Sequence, residues 1–120
     1  MTPIAPYAAL AALLFAMPAQ AQKSFNAQAR TAGELAELCA ASPKDPLGDA
    51  KINFCHGYAQ GAIATEQRHA DGKKVCFPSG TTRTTTMNEF VAWVKANSDQ
   101  KGANVLDGLF RFLGEKYPCR

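Results

Sequence analysis

The chain has 120 residues, with 13 basic and 10 acidic side chains giving a net charge of +3, and a pI near 8.7. That length holds one small domain whose core is adequate but not generous. The charge is mild and evenly interleaved, which argues against nucleic-acid binding and supports at most a preference for acidic protein surfaces or anionic envelope polymers.

Residues 1–21 carry no charged side chain, run apolar through "AALAALLFAM" and end in "PAQAQ", with Ala19 and Ala21 at the small-residue positions of an A-x-A cleavage signal. This reads as a secretory signal peptide cut after Ala21. The apolar run is too short to span a bilayer comfortably, so no membrane segment is expected after cleavage. The exported chain is expected to meet an oxidising compartment. There its four cysteines, Cys39, Cys55, Cys76 and Cys119, read as two disulfides with three possible pairings. Each bridge is expected to stabilise so small a domain by about 2–4 kcal/mol.

A polar segment over 22–30 leads into a domain over 31–120. Thr31 with Glu34 three residues on is a capping-box pattern, and Leu35, Leu38 and Cys39 share a face of the short helix that follows. "SPKDPLG" breaks that helix with two prolines and a glycine. A second helix is predicted from near Asp49, a plausible N-cap, to about His69. Ile52, Cys55, Ala59, Ala62 and Ile63 fall at helical spacing, with Lys51, Glu66, Gln67 and Arg68 toward water. "ADGKK" ends it, and "VCFPSGTTRTTT" is expected to be an irregular connector holding Pro78. Thr86 and Glu89 repeat the capping-box spacing ahead of a third helix, "MNEFVAWVKAN", with Met87, Phe90, Val91 and Val94 on one stripe. "SDQKG" turns the chain into a fourth helix that carries Val105, Leu106, Leu109, Phe110, Phe112 and Leu113 and stops at Pro118. No stretch alternates as a strand would. The expected fold is all-α, a small bundle of four to five helices tied by two disulfides.

Cys55 beside His56 invites a nucleophile and its base, but neighbours in a helix point about 100° apart and cannot share a proton locally. His69 lies roughly 21 Å along the same helix. Neither C-x-x-C nor H-x-x-x-H is present, and no carboxylate groups with either histidine, so no metal or cofactor is expected. Gly57 and Gly61, four apart, share one face of the second helix. Each costs about 1 kcal/mol against alanine, so something is expected to pack closely there. Core packing is the favoured reading, with a glycine-lined partner groove or dimer face as the alternative. Trp93, Phe112 and Tyr117 read mostly as core by spacing, but Trp93 sits off the stripe of the third helix, which gives a half-exposed partner anchor as its alternative.

The words "ELAELC", "CHGYAQG", "VCFP" and "EKYPC", in this order and with these four cysteines, resemble the Rap/Tai family of periplasmic immunity proteins, whose helical fold is related to acid-stress chaperones of the HdeA type. The resemblance runs from about Thr31 to Cys119 and includes Cys55, Gly57, Tyr58 and Gly61. It implies a non-enzymatic protein that binds a peptidoglycan amidase delivered by type VI secretion and occludes its active site; several members act as dimers. The sequence departs from the family in its threonine-rich connector and its basic "DGKK" segment. Loops on a rigid scaffold usually carry recognition, which makes Asp71, Lys73, Lys74, Thr82 and Arg83, together with Trp93, the candidate partner contacts.

Tracing the second helix away from Cys55, the third back and the fourth out again brings Cys119 toward Cys76 and leaves Cys39 near Cys55. The pairs 39–55 and 76–119 are favoured, but "SPKDPLG" is long enough to span more than about 20 Å, so 39–119 with 55–76 stays open. The competing functions are an acid-activated periplasmic chaperone, which needs carboxylate titration that 10 acids against 13 bases supply poorly, and a small hydrolase, for which no catalytic geometry is visible.

Overall fold

The computed structural model describes residues 1–3, 24–69 and 74–120. Apart from its first three residues, the predicted signal peptide lies outside the described residues, as do Asp71 and Lys73. Among the described residues four helices follow in order: α1 (Ala32–Cys39), α2 (Gly48–His69), α3 (Arg83–Ala96) and α4 (Val105–Lys116), with a 3-10 turn at Ser98–Gln100 in the predicted "SDQKG" reversal.

The short α1 lies at the centre and packs against α2, α3 and α4. It starts as the sequence predicts. The Thr31 hydroxyl accepts from the Glu34 amide at 3.2 Å, and the Glu34 carboxylate accepts from the Thr31 and Arg30 amides at 3.3 and 2.6 Å. Leu35, Phe90, Leu109, Leu113 and Cys55 are the largest fully buried side chains and form the middle of the core; burying each large apolar side chain contributes about 1.5–3 kcal/mol. Contact between α1 and α4 is close because Gly108 has no side chain. A Cβ there would stand 2.6 Å from the Ala32 Cβ.

Between α1 and α2 the predicted break becomes a tight loop. Asp45 accepts from the Leu47 amide at 2.9 Å and from Lys51 Nζ at 2.8 Å, and the Lys51 bond, followed by the Leu47 amide, holds its carboxyl below the usual range. A Cβ on Gly48 would collide with the Ser42 carbonyl. The helix therefore begins at Gly48, and Asp49 falls in its first turn, not at its cap.

Two disulfides close the molecule. Cys39 pairs with Cys55 at 2.03 Å, joining the end of α1 to α2, and Cys76 pairs with Cys119 at 1.99 Å, joining the connector to the chain's end. The pairing favoured by helix direction is the one observed, and the nested alternative is excluded. Beside the second bridge, the Cys76 amide donates to the Tyr117 carbonyl at 2.9 Å and the Phe77 ring packs on Tyr117 with centroids 4.9 Å apart.

The third helix departs from expectation. Its cap is Thr82, whose hydroxyl accepts from the Thr85 amide at 3.1 Å, so the predicted Thr86–Glu89 box lies inside the helix. Thr86 is buried instead, donating to the Thr82 carbonyl at 3.1 Å and meeting the Tyr117 hydroxyl at 3.2 Å. Glu89 accepts from that phenol at 2.6 Å and pairs with Lys116 at 3.5 Å. Burial first, then the neighbouring Glu89, raises the Tyr117 phenol above its ordinary pKa. A long-range tyrosine contact has claimed both residues that a local box would have used.

On α4, Val105, Leu109, Phe112 and Leu113 are buried as expected, whereas Leu106 is 43% exposed. It stands about 100° around the helix from Val105, at the edge of the packed face, with Phe110 half-buried one turn further on.

Candidate functional site

The 22-residue α2 is the longest helix, and its buried residues, Gly48, Cys55 and Ala59, all lie in its first twelve positions. Its second half therefore presents side chains at the surface, and two depressions form along it.

The deeper one lies between α2 and the head of α3. His56, Ala59, Gln60, Ile63, Ala64 and Gln67 form one wall, and Phe77, Thr81, Thr82, Arg83, Thr86 and Met87 form the other, around about 320 Å³. The connector's local bonding shapes the second wall. The Pro78 carbonyl accepts from the Thr81 amide at 3.1 Å and from its hydroxyl at 2.7 Å. Gly80 takes the turn with φ of +85°, a conformation that side chains disfavour. The turn delivers Thr82 to its capping position and sets Arg83 against α2, where its Nη1 donates to Gln60 Oε1 at 2.8 Å.

The second depression lies on another face of α2. Gly57, Tyr58, Gly61, Ala62, Thr65 and Glu66 line it together with Leu106 and Phe110 of α4. Here the expectation of core packing fails. Gly57 and Gly61 are exposed, and beyond their chain neighbours and the surrounding backbone of α2 itself no described atom lies within 4 Å of where their Cβ atoms would be. The glycine spacing is real, but the helix that packs closely does so at Gly108. Tyr58 packs half-buried against the core, where burial raises its phenol pKa.

The remaining sequence candidates are scattered. Trp93 is half-buried in a separate shallow depression with Phe112 and Glu115, stacked near Phe90 at 6.4 Å and donating from Nε1 to Glu115 at 2.8 Å. Lys74 is exposed 4.0 Å from Glu66, and Pro78 is exposed on the connector. Of the candidate contacts among the described residues, Thr82 and Arg83 stand on the deeper groove. Sequence reasoning missed its other wall, although His56, Gln60, Ile63 and Gln67 recur at i, i+4, i+7 and i+11, the signal of one helix face.

Cys55 and His56 of α2 form no reactive pair. Cys55 is fully buried and consumed by its disulfide, while His56 turns to the groove and His69 stands exposed at the helix end. Among the described residues no group of three or more histidine, cysteine, aspartate or glutamate side chains could hold a metal ion, and no helix is long and apolar enough to cross a membrane. The arrangement suits recognition: an apolar groove rimmed by an arginine, a histidine and amides.

No curated protein and no solved structure matches the chain. The family model described as Rap1a immunity proteins matches residues 31–119. That stretch runs from the Thr31 cap to the last disulfide cysteine and contains all four helices, and over it the chain belongs to the family of Rap1a immunity proteins.

Proposed function

We propose that this chain is an exported, non-enzymatic immunity protein that binds and inhibits a cell-wall-degrading effector of the peptidoglycan amidase class, delivered by type VI secretion. The family match over 31–119 carries this reading. The apolar, uncharged stretch ending at Ala21 supports export to the periplasm, where such an effector meets its substrate. Closure of Cys55 in a buried bridge removes the one nucleophile that the sequence suggested.

Co-production of the chain with an exported amidase encoded beside its gene should abolish lysis of a bacterial host, and the two proteins should co-elute in size-exclusion chromatography. Lysis unchanged by co-production, together with no complex for any hydrolase encoded nearby, would count against the proposal. The reading includes a homodimer on the face of Gly57, Gly61, Leu106 and Phe110. Sedimentation velocity should give a dimer for the native chain and a monomer for Leu106→Glu; a native monomer at all concentrations removes the dimer.

A further inference from the structure

The groove between α2 and α3 has a specific chemistry. Its floor is apolar: Ala59 and Met87 are buried beneath it, and Ile63 and Phe77 are half-buried at its sides. Its volume of about 320 Å³ lies at the small end of the range for ligand sites, room for one aliphatic side chain and a short length of backbone. Among the described residues no aspartate or glutamate lines it.

Arg83 sets the sign of the rim. Among the described residues its side chain bonds to the neutral amide of Gln60 at 2.8 Å. The ion pairs among the described residues belong to Lys51, Lys74 and Lys116. The fork of donors on the guanidinium matches a carboxylate bidentately. Arg30 and Arg111 also bond to amides, those of Gln28 and Gln100, but neither lines the groove. At Arg83 a cation that forms no ion pair among the described residues meets an apolar floor, and the positive end of α3 adds to it.

We propose that this groove receives a short segment of a partner protein in which an aliphatic side chain stands beside an aspartate or glutamate. The aliphatic group would cover Ala59, Ile63 and Met87, and the carboxylate would be held by Arg83 with the Gln60 amide. This rests on the immunity reading and names the feature of the effector that the protein grips. A cationic segment would meet like charge at Arg83, and an apolar segment without an acid would leave the guanidinium desolvated and unpaired.

The test has two arms. In the first, the 15N-labelled protein with both disulfides formed is titrated with an acetylated, amidated heptapeptide bearing Leu-Asp-Leu at its centre, and with the same peptide bearing Leu-Lys-Leu. The acidic peptide should shift resonances of Gln60, Ala64 and Arg83 saturably, and the lysine peptide should not. Arg83→Glu, which places an acid favourably in the first turn of α3, and Ala64→Trp, which fills the groove from an exposed position, should each weaken binding about tenfold or more. Equal shifts by both peptides, or none at the groove, overturn the proposal. In the second arm the same variants are assayed against the neighbouring effector. Native binding that neither variant changes overturns the groove assignment and leaves the immunity reading intact. Groove binding of the acidic peptide with no effector bound sustains the groove chemistry and removes the immunity reading.

Discussion

Gly108 on α4 and Gly61 on α2 occupy similar helix interiors and cost those helices about the same, roughly 1 kcal/mol each against alanine. At Gly108 the cost is offset inside the fold, because Ala32 comes so close that a Cβ would stand 2.6 Å from its own. At Gly61, and at Gly57 one turn earlier, no described atom beyond the chain neighbours and the backbone of α2 itself approaches within 4 Å. The first glycine serves the seam between α1 and α4. The second serves nothing within the described fold, and Leu106 and Phe110 beside it leave apolar surface uncovered. Stability is concentrated on the α1 side of the molecule, and the far half of α2 is free to present surface.

The largest test of that contrast is Gly108→Leu. A side chain forced into the α1–α4 seam must push α1 away from the helices it joins, so the variant should lose about 3 kcal/mol or more, read as a lower midpoint in guanidinium unfolding. A loss below about 0.5 kcal/mol would mean that the seam yields freely and that the two glycines do not differ. Replacing both Cys39 and Cys55 with alanine comes next. It unties α2 from α1 and should cost about 3 kcal/mol by loop closure. Far-UV circular dichroism and unfolding curves would register the change, with α2 fraying first because so few of its residues are buried.

Tyr117→Phe is expected to be smaller, about 1–2 kcal/mol, since it removes a hydroxyl that donates to Glu89 at 2.6 Å. Lys116 remains to pair with that carboxylate. The native phenol has its pKa raised by burial first and by Glu89 next. A raised pKa in the folded state means that the contribution is fully present below the unfolded value of about 10 and is lost as pH rises toward the folded value. Native stability should therefore fall above about pH 10, and the Phe variant should show a shallower fall. Identical alkaline slopes would remove Tyr117 from the account.

The elements legible in the sequence are those whose causes are local. Thr31 and Glu34 cap α1 from three residues apart, and the proline-rich break fixes where α1 stops. Helix directions favoured the disulfide pairing that is observed, while the reach of the "SPKDPLG" loop left the nested one open. The head of α3 was not legible, because several threonines in a row offer alternative caps. The choice of Thr82 depends on Thr86 being drawn under Tyr117, 31 residues away. Glycine spacing likewise says that a face is bare, not whether another helix covers it; that is decided by how α4 docks, and α4 docks through Gly108. The groove was half visible. Its α2 wall follows helical spacing, but its other wall exists only once the turn at Pro78 to Thr81 carries Arg83 back against Gln60.

The smallest effect is the sharpest comparison with Gly108. Alanine at position 61 meets open space, so Gly61→Ala should raise stability by about 0.5–1 kcal/mol, and the melting temperature by about 2–8 °C. Gly57→Ala should do the same, and the two should add to within about 0.5 kcal/mol. A destabilised variant would mean that something covers the face in solution, and a concentration-dependent melting temperature in the native chain but not in the variant would identify that cover as a second copy. If both alanines stabilise the isolated chain yet weaken effector capture, the glycines are retained for a partner's close approach, and this face joins the groove of Arg83 as part of the binding surface.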